Sequence, residues 1–213
     1  MKNRNKFYSL WISLLCILVF ILQNIFKEFT NLFKLSESAL TMPWQFLTAV
    51  FLHGSLSHLV FNLFALIIFG LILEQLIGSK KFLILYLASG ILANIISFPW
   101  FPNALGASGA IMGIIGTLAV LRPMMSVWAF GMIVPMFVAA LLWIGESIFG
   151  IFGLGDQGIG YLAHLSGIAY GLLYGLFLRL KAKTRPKTNH SFKKQIKIPE
   201  SYAREWEHAY MDN

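Results

Sequence analysis

The chain has 213 residues, 57% hydrophobic and 12% charged, with a mean hydropathy of +0.70; its apolar runs are too long for a soluble core and mark an all-α, polytopic membrane protein. The net charge of +8 does not point to nucleic acid, because the basic residues lie between and beyond the apolar runs and form no groove-sized patch. A single cysteine, Cys16, excludes an intramolecular disulfide and says nothing about redox compartment.

Lys2, Arg4 and Lys6 precede an apolar run over residues 7 to 26. Its length and the lack of a small-residue cleavage site predict an uncleaved first span rather than a signal peptide. Residues 27–48 form a long first loop, too polar to span and carrying aromatics suited to an interface. A second span is expected over 55–77, ending at Gly78-Ser79-Lys80-Lys81, and a third over 82–98, broken by Pro99 and Pro102. The fourth starts at Ser108 and stops at Arg122-Pro123. Its 14 residues reach about 21 Å against a hydrocarbon core of about 30 Å, so one end must lie inside the membrane.

A fifth span is predicted over 125–149 with a kink at Pro135, followed by a Gly-rich loop over 150–160 carrying Asp156 and a sixth span over 161–178. The expected organisation is one six-span membrane domain, 1–182, and a polar basic tail, 183–213, with a short amphipathic helix at 201–211. No internal repeat is evident. Six spans put fifteen of the basic residues on one side and only Lys27 and Lys34 on the other. Both termini should therefore be cytoplasmic, and the loops leading into His53, Ser108 and His164 extracytoplasmic.

Depth along the helices brings chemistry together. Counted from the basic stops, Ser108 lies about 21 Å and His164 about 22 Å up their helices, with Asn62 at about 24 Å. Small residues around Ser108, and the row Gly167, Gly171, Gly175 that could meet Gly109, Gly113 and Gly116, would by themselves indicate only close helix packing. That same close approach brings His164 to Ser108. An ionisable side chain in an apolar span needs a polar cavity or a partner, and a nucleophilic serine needs a base within hydrogen-bond reach. His58 and Asn62, four apart, share one helix face and could aim donors at one spot. A zinc site is the rival reading, disfavoured because Asn is a poor ligand and no second cluster lies at that depth. Donors for an oxyanion fit better, and Gly106 would let the backbone approach closely. No metal and no cofactor are expected.

The pattern His53-x4-His58-x3-Asn62, then Gly106-x-Ser108-Gly109, then Ala163-His164-x2-Gly167-x3-Gly171 resembles the rhomboid intramembrane serine proteases and runs through all six spans in order. The resemblance implies a Ser108–His164 dyad with no acidic third member and an oxyanion hole from the Ser108 amide with His58 and Asn62. It also implies a structural role for His53 in the first loop. Glu74 with Gly78 is similar to the family's pattern as well. Two positions depart from it: Trp44-Gln45 stands where many members have Trp-Arg, and Met112 where many have an aromatic that stacks on the histidine.

The function expected is an intramembrane serine endopeptidase of a bacterial cell membrane, its site opening to the extracytoplasmic side and its substrates transmembrane segments of other proteins. Two alternatives belong to other classes. One is a catalytically silent rhomboid-like protein that binds membrane clients, which predicts loss of the serine or histidine. The other, a transporter or channel, predicts polar groups at several depths.

Overall fold

The computed structural model describes residues 6–155 and 158–183. Asp156, the expected tail beyond Lys183 and its short helix at 201–211 lie outside the described residues.

Helix α1 (Tyr8–Ile25) realises the first apolar run. Its N-terminus has no side-chain cap of its own. Instead the amides of Tyr8 and Ser9 donate to the two Glu74 carboxylate oxygens at 2.8 and 3.0 Å, and Ser9 Oγ donates to Glu74 as well. A carboxylate at a helix start satisfies free amides and meets the positive dipole end. Glu74, only 1% exposed, thus joins the beginning of α1 to the last turn of α4 (Leu56–Ile77).

The first loop is built of short pieces: α2 (Phe29–Phe33), a 3-10 turn Glu37–Leu40, α3 (Gln45–Thr48) and a second 3-10 turn Ala49–Phe51. Gly78, at φ 85°, separates α4 from α5 (Ser79–Ser97). A residue with a side chain would be strained in that left-handed region. Helix α5 therefore starts three residues before the expected third span, with Lys80 and Lys81 in its first turn.

Helix α6 (Ser108–Leu121) keeps the expected short length, and eleven of its fourteen residues are buried. A helix apolar and buried all round belongs in the middle of a bundle. The other helices carry large exposed apolar side chains, among them Trp11, Phe61, Phe64 and Leu173, the surface a bilayer would cover.

The predicted fifth span is corrected. Residues 126–135 form a two-stranded antiparallel hairpin, β1 (Ser126–Ala129) paired with β2 (Met132–Pro135), and α7 (Met136–Ile151) begins only after it. Phe130 and Gly131 both take positive φ, 52° and 79°, as a two-residue hairpin turn requires. Val127 and Ala129 face the core while Trp128 and Ile133 face outward, the two-residue period of a strand. Pro135 stands at the N-cap of α7 with ψ 147°, so it opens a helix rather than kinking one.

Helix α8 (Tyr161–Lys183) runs five residues past the predicted end, through Arg179 and Lys181. Four described helices, α1, α4, α5 and α8, are long and apolar enough to cross a membrane; α6 and α7 are apolar but shorter.

Candidate active site

Loop contacts first fix the approach to Ser108. Leu35 and Ala104 exchange backbone hydrogen bonds at 2.9 and 3.2 Å, and the Gly106 amide donates to the Ala49 carbonyl at 2.9 Å. The chain entering α6 is thereby pinned to the first loop. Gly106 has φ 134°, and a Cβ there would meet His58 Cε1 and Nε2 at 2.8 and 2.9 Å. Both conformation and space demand glycine.

Helix α6 then opens at Ser108, with Ala107 as its N-cap and no capping side chain. Ile111 N is the first amide to bond back, to Ala107 O. The amides of Ser108, Gly109 and Ala110 are the unpaired donors that any helix start presents.

His164 reaches this point from α8, and its Nε2 lies 2.8 Å from Ser108 Oγ. That is a good hydrogen-bond distance between a hydroxyl and a ring nitrogen. The approach is possible because α6 and α8 meet glycine to glycine. A Cβ on Gly167 would run into the Gly109 carbonyl, one on Gly171 into the Gly113 carbonyl, and one on Gly116 into the Ile168 carbonyl. Thr117 Oγ1 bridges the pair, bonded at 2.9 Å to Gly113 O and at 3.0 Å to Gly171 O. On the other flank a Cβ on Gly109 would lie 2.8 Å from Ala93 Cβ, and one on Gly90 2.8 Å from Val50.

The third wall comes from α4. Ser55 caps that helix by accepting from the His58 amide at 3.1 Å, which sets His58 in the first turn with its ring toward Gly106. Asn62, 7% exposed, lies one turn on, and its Nδ2 donates to the His58 carbonyl at 2.8 Å. One of its two amide hydrogens is therefore committed to its own helix, leaving the second for another acceptor. His53 is buried at 1% exposure with its ring 5.1 Å from that of His58, edge to face. Among the described residues neither His53 ring nitrogen has a partner at full hydrogen-bond geometry, the Phe51 backbone being a weak one. Burial first, and then the neighbouring His58, pushes its pKa down to about 4.

All nine residues singled out in the sequence thus have a definite place. Ser108, His164, Gly106 and His58 meet directly. Asn62 and His53 stand against His58, while Gly109, Gly167 and Gly171 form the helix contact beneath. No group of three or more His, Cys, Asp or Glu that could hold a metal occurs among the described residues.

Two contributors, Tyr161 and Gln23, went unread in the sequence, and a third, Gln45, stood there only as a departure from the family's pattern. Gln45, fully buried, accepts from the Ser36 amide and hydroxyl at 3.1 and 2.8 Å and donates to Leu32 O at 3.3 Å; it anchors the first loop. Tyr161 lies edge to face on His164 at 6.3 Å, a ring contact from the preceding turn of α8 where Met112 offers none. Gln23 holds the backbone of His53 from α1. The only signal for Gln23 was a long amide side chain in an apolar run, which must find partners.

The Rhomboid domain family model matches residues 40–181, from the end of the first 3-10 turn through almost the whole of α8. The chain belongs to the rhomboid family. It is 47% identical over 77 residues to Rhomboid protease GluP of Bacillus subtilis, covering 35% of this chain and 15% of that protein. It is 29% identical over 182 residues to Rhomboid protease GlpG of Klebsiella pneumoniae, 82% of this chain and 64% of that one. RHOMBOID-like protein 6, mitochondrial, of Arabidopsis thaliana is 33% identical over 149 residues, 66% of this chain and 45% of that protein. The chain therefore spans less than two thirds of each of these relatives. Its family, its apolar helices and these relatives make it a rhomboid membrane protein of a protease family.

Proposed function

We propose that this protein is an intramembrane serine endopeptidase that cleaves transmembrane segments of other membrane proteins through Ser108 and His164. The observation that carries the reading is the 2.8 Å contact between His164 Nε2 and Ser108 Oγ at the foot of a helix with free amides.

In the reaction, Ser108 Oγ attacks a peptide carbonyl carbon while His164 Nε2 takes the hydroxyl proton. The carbonyl oxygen, now negative, is held by the Ser108 amide, His58 and Asn62, in a place that the dipole of α6 also favours. His164 returns the proton to the leaving amine as the C–N bond breaks. Water then attacks the acyl-enzyme ester, with His164 again the base. The scissile segment must be unwound, because a helical peptide bond is hydrogen-bonded and shielded.

The protein crosses the membrane six times with both termini cytoplasmic, the two short helices α6 and α7 included, in a bacterial cell membrane. The short α6 leaves Ser108 below the outer surface in a water-filled dip open to the extracytoplasmic side. Helix α7 and the loop after it act as gate and cap. Residues 183–213 are a cytoplasmic basic tail.

A fluorescent fluorophosphonate should label the wild-type protein and not Ser108→Ala or His164→Ala, and each variant should lose cleavage of transmembrane substrates in liposomes while still melting cooperatively. The double variant should lose little beyond either single one, since the two act as a unit. Equal labelling of Ser108→Ala would sink the reading, and a folded wild type that never labels or cleaves would favour a silent client-binding protein.

A further inference from the structure

His53 lies between a 3-10 turn and α4, in backbone that is neither helix nor strand. Its N–H and C=O are carried by a residue 1% exposed, and buried peptide groups must be paired. Both partners come from one side chain on α1. Gln23 Oε1 accepts from the His53 amide at 3.0 Å, and Gln23 Nε2 donates to the His53 carbonyl at 3.2 Å. The Gln23 Nε2 also donates to Thr30 Oγ1 at 3.1 Å. Acceptor and both donor hydrogens of the carboxamide are thereby used, which fixes its orientation.

What Gln23 holds reaches His58 by two routes. The His53 ring packs edge to face on the His58 ring at 5.1 Å. The next amide, Gly54 N–H, donates to His58 Nδ1 in a long bond of 3.5 Å. When Nδ1 of a neutral imidazole accepts, the ring proton resides on Nε2. Cε1 and Nε2 are the His58 atoms that face Gly106, beside Ser108. The Gly54 contact thus favours the tautomer that offers a donor to an oxyanion.

We infer that Gln23 is a positioning residue for the oxyanion wall, setting the backbone of His53 and Gly54 and through them the orientation and tautomer of His58. Gln23 lies outside the stretch matched by the family model. The inference rests on the serine protease reading.

Fluorophosphonate labelling tests it without a known substrate, because attack by Ser108 builds the same kind of oxyanion. The full chain in liposomes is followed for its maximal labelling rate, half-saturating probe concentration and melting temperature. Gln23→Met, similar in length but without the amide, should lower the maximal rate about 10-fold with half-saturation unchanged, less than removal of an oxyanion donor itself. Gln23→Glu keeps the acceptor for the His53 amide and should recover part of that loss.

In a His58→Ala background Gln23→Met should cost nothing further, since its effect passes through His58. A merely structural role would add its loss to that of His58→Ala. Wild-type rates in Gln23→Met, or the same loss in both backgrounds, would overturn the inference. Should Gln23→Met fail to fold, Gln23→Glu carries the test alone, with a reduced rate in the wild-type background and none beyond that of His58→Ala expected. A folded wild type with no Ser108-dependent labelling would instead take down the protease reading itself.

Discussion

Asn62 donates to the His58 carbonyl and the His53 ring packs on that of His58, and their chemistry separates cleanly in experiment. An oxyanion donor acts mainly in the transition state, so Asn62→Ala should lower kcat and leave KM nearly unchanged. The loss of one such donor runs to about 100- to 1000-fold, and less where His58 and the Ser108 amide compensate. A change confined to KM would assign Asn62 to ground-state substrate instead. His53 makes a pH prediction. Its pKa is about 4 in the folded protein against an ordinary 6.5, so between these values the unfolded chain binds the extra proton and the folded one does not. Stability is then lost as pH falls through that window. The melting temperature should drop between pH 7 and pH 5, and the slope should flatten in His53→Phe. An unchanged slope in that variant would assign the acid sensitivity to another group.

At the scale of elements, the contact between α6 and α8 decides whether His164 meets Ser108. Gly171 lies two turns below His164 on α8, and any Cβ there strikes the Gly113 carbonyl. Gly171→Leu should therefore wedge the helices apart, abolish cleavage and lower the melting temperature by several degrees, the size expected when a packed contact is forced open. Leu172→Ala, a truncation about 100° round the helix, should do much less. Wild-type activity and melting in Gly171→Leu would remove the packing basis for the Ser108–His164 contact. The Gly row was legible in the sequence because small residues recur every four positions. The hairpin before α7 was not. Residues 125–149 are apolar throughout, and hydropathy alone cannot separate a strand pair from the start of a helix; the Phe130-Gly131 turn was the one local cue.

For the whole molecule, the side proposed for the site rests on charge. Lys27 and Lys34 stand alone against fifteen other basic residues, and Lys27 lies between α1 and α2, at the far end of α1 from Glu74 and Ser79. A cysteine placed at Lys34 should react with a membrane-impermeant maleimide added outside intact cells, and one placed at Lys80 only after lysis. Cys16, buried, should stay silent in both. The reverse pattern would turn the bundle over and open the site to the cytoplasm.

The one-dimensional pattern by itself determined the membrane class, the approximate extent of the four long apolar helices and the short length of α6, because burial in lipid demands long apolar runs and a basic residue marks where they stop. It also marked Ser108 and His164, since a polar group at depth in an apolar run has few reasons to be there. What only the tertiary structure decided was how each group is held. Glu74 capping α1, Gln45 tying the first loop and Gln23 on the His53 backbone join residues on separate elements, from nine to sixty-six positions apart in the chain. Hydrogen bonds of that kind depend on direction and on distances of about 3 Å, and neither is encoded in hydropathy or spacing.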